Sequence, residues 1–137
     1  MENVKLPLLY SDIPESQWDT RAHDAIEAVD LSHRMHHHPS QLSGGEKQRA
    51  AIARALVCDP EVIFADEPTG NLDSKSGKAV METIQNLNET FHHTIVLITH
   101  ETYTAEHAER IIRLHDGLIE HDERVGRHKR AKDTFEK

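Results

Sequence analysis

Apolar side chains recur at helical spacing between residues 14 and 31, where Ala22, Ala25, Ile26 and Val29 fall on one face. Pro14, followed by Glu15 and Ser16, opens this predicted helix, which runs to about Leu31. Residues 32–41 are polar and irregular and end in Pro39-Ser40. A second helix is expected from Gly44 to about Cys58, with Ser43 as N-cap and Asp59-Pro60 as its stop. Glu61–Asp66 carries the run Val62-Ile63-Phe64-Ala65 and reads as a fully buried strand. Pro68-Thr69-Gly70-Asn71 is turn chemistry. Ser74 is then expected to cap a helix that places Val80, Ile84 and Leu87 on one face and reaches about Thr90. Thr94–Thr99 reads as a second buried strand, and a short helix is expected around Thr104–Ala108. Asp116-Gly117, between Arg110–Leu114 and Leu118–Glu120, is a hairpin signal. Strand, helix, strand, helix is the α/β pattern of a mostly parallel sheet flanked by helices. Beyond Val125 the chain is charged (Arg127, Lys129, Arg130, Lys132, Asp133, Glu136, Lys137) and is expected to fray.

Composition narrows the partners. The 137 residues suit one domain, and with 36% hydrophobic but only 4% aromatic residues the core must be aliphatic. A formal net charge of -8 argues against a nucleic-acid binder, which needs a basic face to displace counterions. It does not argue against one nucleotide, which a local nest of amides can hold. With Cys58 the single cysteine, no intramolecular disulfide can form, and a reducing compartment fits. Glu2 and Lys5 interrupt any apolar stretch after Met1, and the longest apolar runs, Ala50–Ala53 and Val62–Ala65, are far short of a membrane span. A soluble protein is expected, with any membrane connection made through a partner. Twelve histidines, including His36-His37-His38, suggest a metal site by composition only. Adjacent residues on an irregular segment diverge, whereas ligands must converge, so this run reads as a solvated loop.

Three segments carry candidate chemistry. Leu42-Ser43-Gly44-Gly45-Glu46 sits where a loop becomes a helix. The glycines allow close approach to the backbone, and the helix start offers free N–H groups with partial positive charge. Alone, it could be a capped helix after a tight turn. Asp66-Glu67 ends the first strand, where one carboxylate can serve Mg²⁺ and its neighbour can polarise a water. Alone, it could be two solvated acids. Thr99-His100 ends the second strand, where an imidazole can donate to a terminal phosphate. A lone histidine there would be incidental.

Together with Gly70-Asn71-Leu72-Asp73, these segments follow the order and spacing of ABC-type ATPases, and the chain resembles that family over about residues 3–121. Ala50-Ala51-Ile52-Ala53-Arg54-Ala55-Leu56 and Ala65-Asp66-Glu67-Pro68-Thr69 add to the likeness. It looks most like the subfamily that drives lipoprotein release, macrolide export and cell-division complexes. Its opening, Asn3-Val4-Lys5-Leu6-Pro7-Leu8, and the form of its Gly70–Asp73 segment point there. The resemblance implies an incomplete P-loop NTPase fold, with a signature helical part over 1–60, a Walker B to hairpin part over 61–125 and a charged tail over 126–137. It implies that Ser43, Gly44 and Gly45 contact the γ-phosphate of ATP held by an opposite subunit. Asp66 would serve Mg²⁺, Glu67 would be the general base, Asp73 would cross the dimer interface and His100 would sense the γ-phosphate. ATP and Mg²⁺ are the implied cofactors. The implied partners are a second ATPase subunit and a transmembrane permease, with no nucleic acid. The implied location is cytoplasmic, peripheral to the inner face of the membrane.

The departure from the family pattern is the phosphate-binding loop. The six glycines, at 44, 45, 70, 77, 117 and 126, do not form Gly-x-x-x-x-Gly-Lys-Ser/Thr, and Gly77-Lys78 is followed by Ala79. The glutamine-bearing loop, which precedes a segment like Asn3–Leu8, is also missing. The expectation is a truncated transporter ATPase subunit, inactive alone. The alternatives are a non-catalytic partner donating its signature helix in trans, or a non-transport ABC ATPase. In this family's topology the phosphate-loop strand lies beside Thr94–Ile98. An unpaired edge on that strand and a poorly docked Arg110–Glu120 hairpin are therefore expected.

Overall fold

The computed structural model describes residues 1–126 and 128–134. In chain order the elements are α1 (Glu2–Lys5), α2 (Trp18–Ala28), α3 (Gly44–Leu56), β1 (Val62–Asp66), α4 (Ser74–Glu89), β2 (Thr94–Ile98), α5 (Thr102–Ala105), β3 (Arg110–His115), β4 (Leu118–Arg124) and α6 (Ala131–Thr134). Among the described residues, no helix is long and apolar enough to cross a membrane.

The first predicted helix stops short of Leu31. Asp30 adopts φ 55, its N–H bonds the Glu27 carbonyl, and the Leu31 N–H bonds the Ile26 carbonyl. This left-handed reversal satisfies the last carbonyls of α2 and turns Leu31 into the core. The sequence pattern gave no helix before Pro14, yet Glu2–Lys5 is helical and Leu6–Tyr10 continues as a 3-10 turn. The signal was the spacing of Val4 and Leu8, which point inward together and are buried.

Helices α2, α3 and α4 pack around one aliphatic core. Ile26, Ala53, Val80, Met81, Ile84 and Leu87 are its centre, and Val4 and Leu8 close it from the N-terminal side. Helix α4 is capped one residue earlier than expected. Asp73, not Ser74, accepts the Ser76 N–H at 3.0 Å and the Ser76 hydroxyl at 2.8 Å. Asp73 has the extended backbone of an N-cap, and its carboxylate has two oxygens to accept both Ser76 donors. The short helix after β2 also starts earlier, at Thr102, because Glu101 precedes it in an extended conformation and accepts the Thr104 hydroxyl at 2.8 Å.

Strands β1 and β2 pair in parallel, Val62 with Thr94 through Asp66 with Ile98. Neither is fully buried, against expectation. Ile63 and Ala65 face α4, but Phe64 is 72% exposed and Val62, Val96 and Ile98 share its face. The physical reason is that α4 covers one side of this pair and no described element covers the other. Among the described residues β2 pairs with β1 alone. The hairpin β3–β4 forms a separate two-stranded sheet, turned by Asp116 and Gly117 at φ 49 and 77. Its side chains are exposed almost throughout. Both features agree with the expected open edge and poorly docked hairpin.

The described part of the charged tail does not fray. Gln85 on α4 accepts the Ala131 N–H at 2.7 Å and donates to the Lys129 carbonyl at 2.8 Å and the His107 carbonyl at 3.3 Å. Lys129 pairs with Glu106 at 2.6 Å, and Ala131 is wholly buried. An amide that meets one N–H and two carbonyls holds backbone that charge alone would leave in water. Arg127, Glu136 and Lys137 of the expected tail lie outside the described residues.

Candidate functional site

Glu67 and His100 meet at the shared end of the parallel pair. Because Asp66 lies opposite Ile98, the residues just beyond each strand emerge side by side. One Glu67 oxygen accepts the His100 backbone N–H at 2.9 Å and lies 2.6 Å from its Nδ1. The other accepts the Thr99 hydroxyl at 3.3 Å. Glu67 sits at φ 43, a conformation that costs a non-glycine residue on the order of 1–3 kcal/mol. It is held there from both ends, by its own N–H to the Ile98 carbonyl and by Gly70 N–H to its carbonyl. The His100 side chain, and then its N–H, hold the Glu67 carboxyl below the usual carboxylate range. Asp66 is exposed one residue before.

The start of α3 forms a second cluster. The Ser43 hydroxyl accepts the Glu46 N–H at 3.2 Å, and the Glu46 carboxylate accepts the Ser43 N–H at 2.7 Å, a reciprocal capping box. Arg34 donates to the other Glu46 oxygen at 2.9 Å. The Ser43 N–H, then the Arg34 guanidinium, hold the Glu46 carboxyl at about 2, against the opposing effect of its partial burial. Ser43 and Gly44 are exposed, whereas Gly45 is buried against α4. A Cβ on Gly45 would come within 3.0 Å of the Ser76 Cβ, and one on Gly44 within 3.1 Å of Leu72. The glycines therefore seat the helix start on the Leu72–Ser76 segment, beside the Asp73 cap. The Ser76 N–H, then its hydroxyl, hold Asp73 below the usual range.

Of the residues expected to act, Glu67 and His100 are thus in direct contact, while Ser43, Gly44 and Gly45 gather with Asp73. The chain 67–76 links the two groups: Gly70 approaches Glu67, and Leu72 and Ser76 approach the glycines. Sequence reasoning missed Arg34. Its signal was a lone basic residue in the irregular segment before a helix whose third residue is acidic.

Two measurements test the cap. Ser43→Ala is expected to lower stability by about 0.5–2 kcal/mol in chemical denaturation, since the Glu46 N–H loses its acceptor. Glu46, Glu67 and Asp73 are all lowered in the folded chain. Their contribution is full above the unfolded carboxylate values, near 4, and is lost as pH falls through the folded ones. The denaturation midpoint should therefore decline from about pH 5 downward. Glu46→Gln should flatten part of that decline, and an unaltered slope would contradict the assignment.

The likeness to known proteins follows this geometry. The family described as ABC transporter matches residues 2–70. An uncharacterized ABC transporter ATP-binding protein of Thermotoga maritima is 47% identical over 92% of this chain and 53% of its own length. The macrolide export ATP-binding/permease protein MacB of Wolinella succinogenes is 48% identical over 88% of this chain and 18% of its own. The ATP-binding cassette MJ0796, solved as a dimer in a post-hydrolysis state bound to ADP and Pi, is 42% identical. It superposes with a TM-score of 0.73 over 90% of this chain and 55% of that one. The chain therefore spans about half the length of the ATP-binding proteins it matches. With its glycine-seated helix start and its strand-end Glu67 and His100, the chain belongs to the ABC transporter family of ATP-binding proteins.

Proposed function

We propose that these residues are part of an ATP-binding and ATP-hydrolysing subunit that powers export or lipoprotein release through a membrane permease. The observation that carries this reading is the placement of Ser43 and Gly44. They are exposed at the start of α3, in a cluster distinct from Glu67 and His100. Such an arrangement suits a signature segment that meets the γ-phosphate of ATP held by a second subunit, with Gly45 seating the helix. The Ser43 hydroxyl accepts the Glu46 N–H, which leaves its own hydrogen available for donation to a phosphate oxygen.

In this reading the exposed Asp66 serves Mg²⁺, which would neutralise charge on the transferred phosphoryl group. Glu67 is the general base, and its contact with His100 is the resting arrangement of both. His100 senses the γ-phosphate, and Asp73 reaches across the subunit interface beside its capping role. Residues 1–60 form the signature part and 61–125 the part from the strand-end acids to the hairpin. The subunit would work as a dimer, on the cytoplasmic side of the membrane, against a permease. The 137 residues contain no Gly-x-x-x-x-Gly-Lys-Ser/Thr, so this stretch acts on a phosphate cradled elsewhere.

The test is capture in trans. A complete cassette of the family, its general base replaced by Gln so that ATP persists, is immobilised and offered this chain with and without Mg²⁺-ATP. ATP-dependent capture is expected, and Ser43→Arg should abolish it by placing bulk and charge where N–H groups meet phosphate. Capture unaffected by Ser43→Arg would show that the signature is not the contact.

A further inference from the structure

A carboxylate at the edge of an anion site is a liability, and Glu46 is such a group. Its capping role brings one oxygen to 2.7 Å from the Ser43 N–H, at the helix end where Ser43 and Gly44 are exposed. Glu46 stays ionised across the physiological range. Unopposed, its charge would repel a phosphate arriving at Ser43 and Gly44 and cancel part of the helix dipole's attraction. Arg34 reaches that carboxylate from the segment before the signature, Nε to Oε1 at 2.9 Å. Its Nη1 lies 3.1 Å from Nε2 of His37 in the same segment, which fixes the far side of the guanidinium. The Glu46 side chain is 14% exposed and that of Arg34 39%, so the pair is only partly screened by water.

We propose that Arg34 is a positioning residue for the signature segment: its guanidinium offsets the Glu46 charge, so that the capped start of α3 remains receptive to a polyphosphate. The inference rests on the signature reading above. It assigns to Glu46 a cost as well as a use. A glutamine at 46 would keep the cap without the charge, and Arg34 would then have nothing to offset. The bland role for the same residue is a staple that fastens residues 32–42 to α3, with no bearing on charge.

The same ATP-dependent capture separates these, with dissociation constants measured for the unsubstituted chain, Arg34→Gln, Glu46→Gln, the double variant and Arg34→Lys. Arg34→Gln is expected to weaken capture on the order of tenfold, as expected for loss of one directly paired charge. Glu46→Gln should strengthen it. Against the Glu46→Gln background, the further loss of Arg34 should cost less than about twofold, the non-additivity that marks two residues acting as one. Arg34→Lys keeps the charge and should retain most of the affinity. Equal weakening by Arg34→Gln in both backgrounds would establish the staple and overturn the proposal, as would no weakening in either. If Ser43→Arg abolishes capture while Arg34→Gln leaves it intact, the Arg34 inference fails and the signature reading stands. If the unsubstituted chain is not captured, or Ser43→Arg is captured as well, both fail. A far-UV spectrum and denaturation midpoint for each variant keep misfolding from passing as lost affinity.

Discussion

Purified alone, the 137-residue chain is expected to release no phosphate from Mg²⁺-ATP above a buffer blank. Phosphoryl transfer requires little covalent participation by the protein. Its rate comes from positioning and from donors aimed at the charge on the transferred group. A single such donor is worth about 10²–10³ in rate where it has been removed from an enzyme. The loop that supplies backbone donors and a lysine together does not occur in these residues. Glu67, the base in the proposed reading, cannot compensate. A base polarises a water only against an electrophile already held in line, and in this structure its carboxylate is occupied by His100 and Thr99. Phosphate-release assays at saturating Mg²⁺-ATP are the measurement. Turnover above the blank that disappears in Glu67→Gln would overturn the expectation.

Met81→Ala is expected to destabilise the chain by about 2–5 kcal/mol, the range for removing a fully buried methionine and leaving a cavity. Met81 is 1% exposed at the centre of the α4 face. Set against the roughly 5–15 kcal/mol that holds a typical domain, this is a large fraction of the total. Phe64→Ala should shift stability by no more than about 0.5 kcal/mol in the same polypeptide, although phenylalanine is the larger residue, because its ring lies on the uncovered face. The pair of variants, compared by denaturant midpoint, asks which apolar residues are core in this chain. A loss of several kcal/mol from Phe64→Ala would mean that this face is covered.

Phe64 also shows where the sequence misleads. Val62-Ile63-Phe64-Ala65 is uniformly apolar, which correctly marks a strand built for cover on both sides, but Phe64 is exposed and only the face of Ile63 joins the core. Local signals did better. Ser43 followed by Glu46 specified the capping box, and Asp116-Gly117 specified the hairpin turn. The order of Asp66-Glu67 and Thr99-His100 placed both at strand ends. It could not reveal that Glu67 and His100 bond each other, because that depends on the register of the parallel pair. Asp73 was marked for an interface, but its capping of α4 was assigned to Ser74, one position too late. The Gln85 amide was illegible for a different reason. It joins Ala131 across 46 residues, and nothing in a polar position on a helix announces which distant backbone it will meet. Arg34 and Glu46, 12 residues apart, are the intermediate case, visible only once the irregular segment is known to fold back on the helix start.

The parallel pairing of β1 with β2 has a consequence for biosynthesis. A hairpin such as β3–β4 can close within microseconds of leaving the ribosome. Among the described residues β1 pairs with β2 alone, and Glu67 must wait for Thr99, 32 residues downstream, before that pairing can form. At about 5–20 residues per second that interval is roughly 2–6 s. Until then the nascent chain presents Val62-Ile63-Phe64-Ala65, and α4 once it has been made, without β2. The interval is a window for chaperone binding, and for this pair of strands it is set by the β-α-β connection itself.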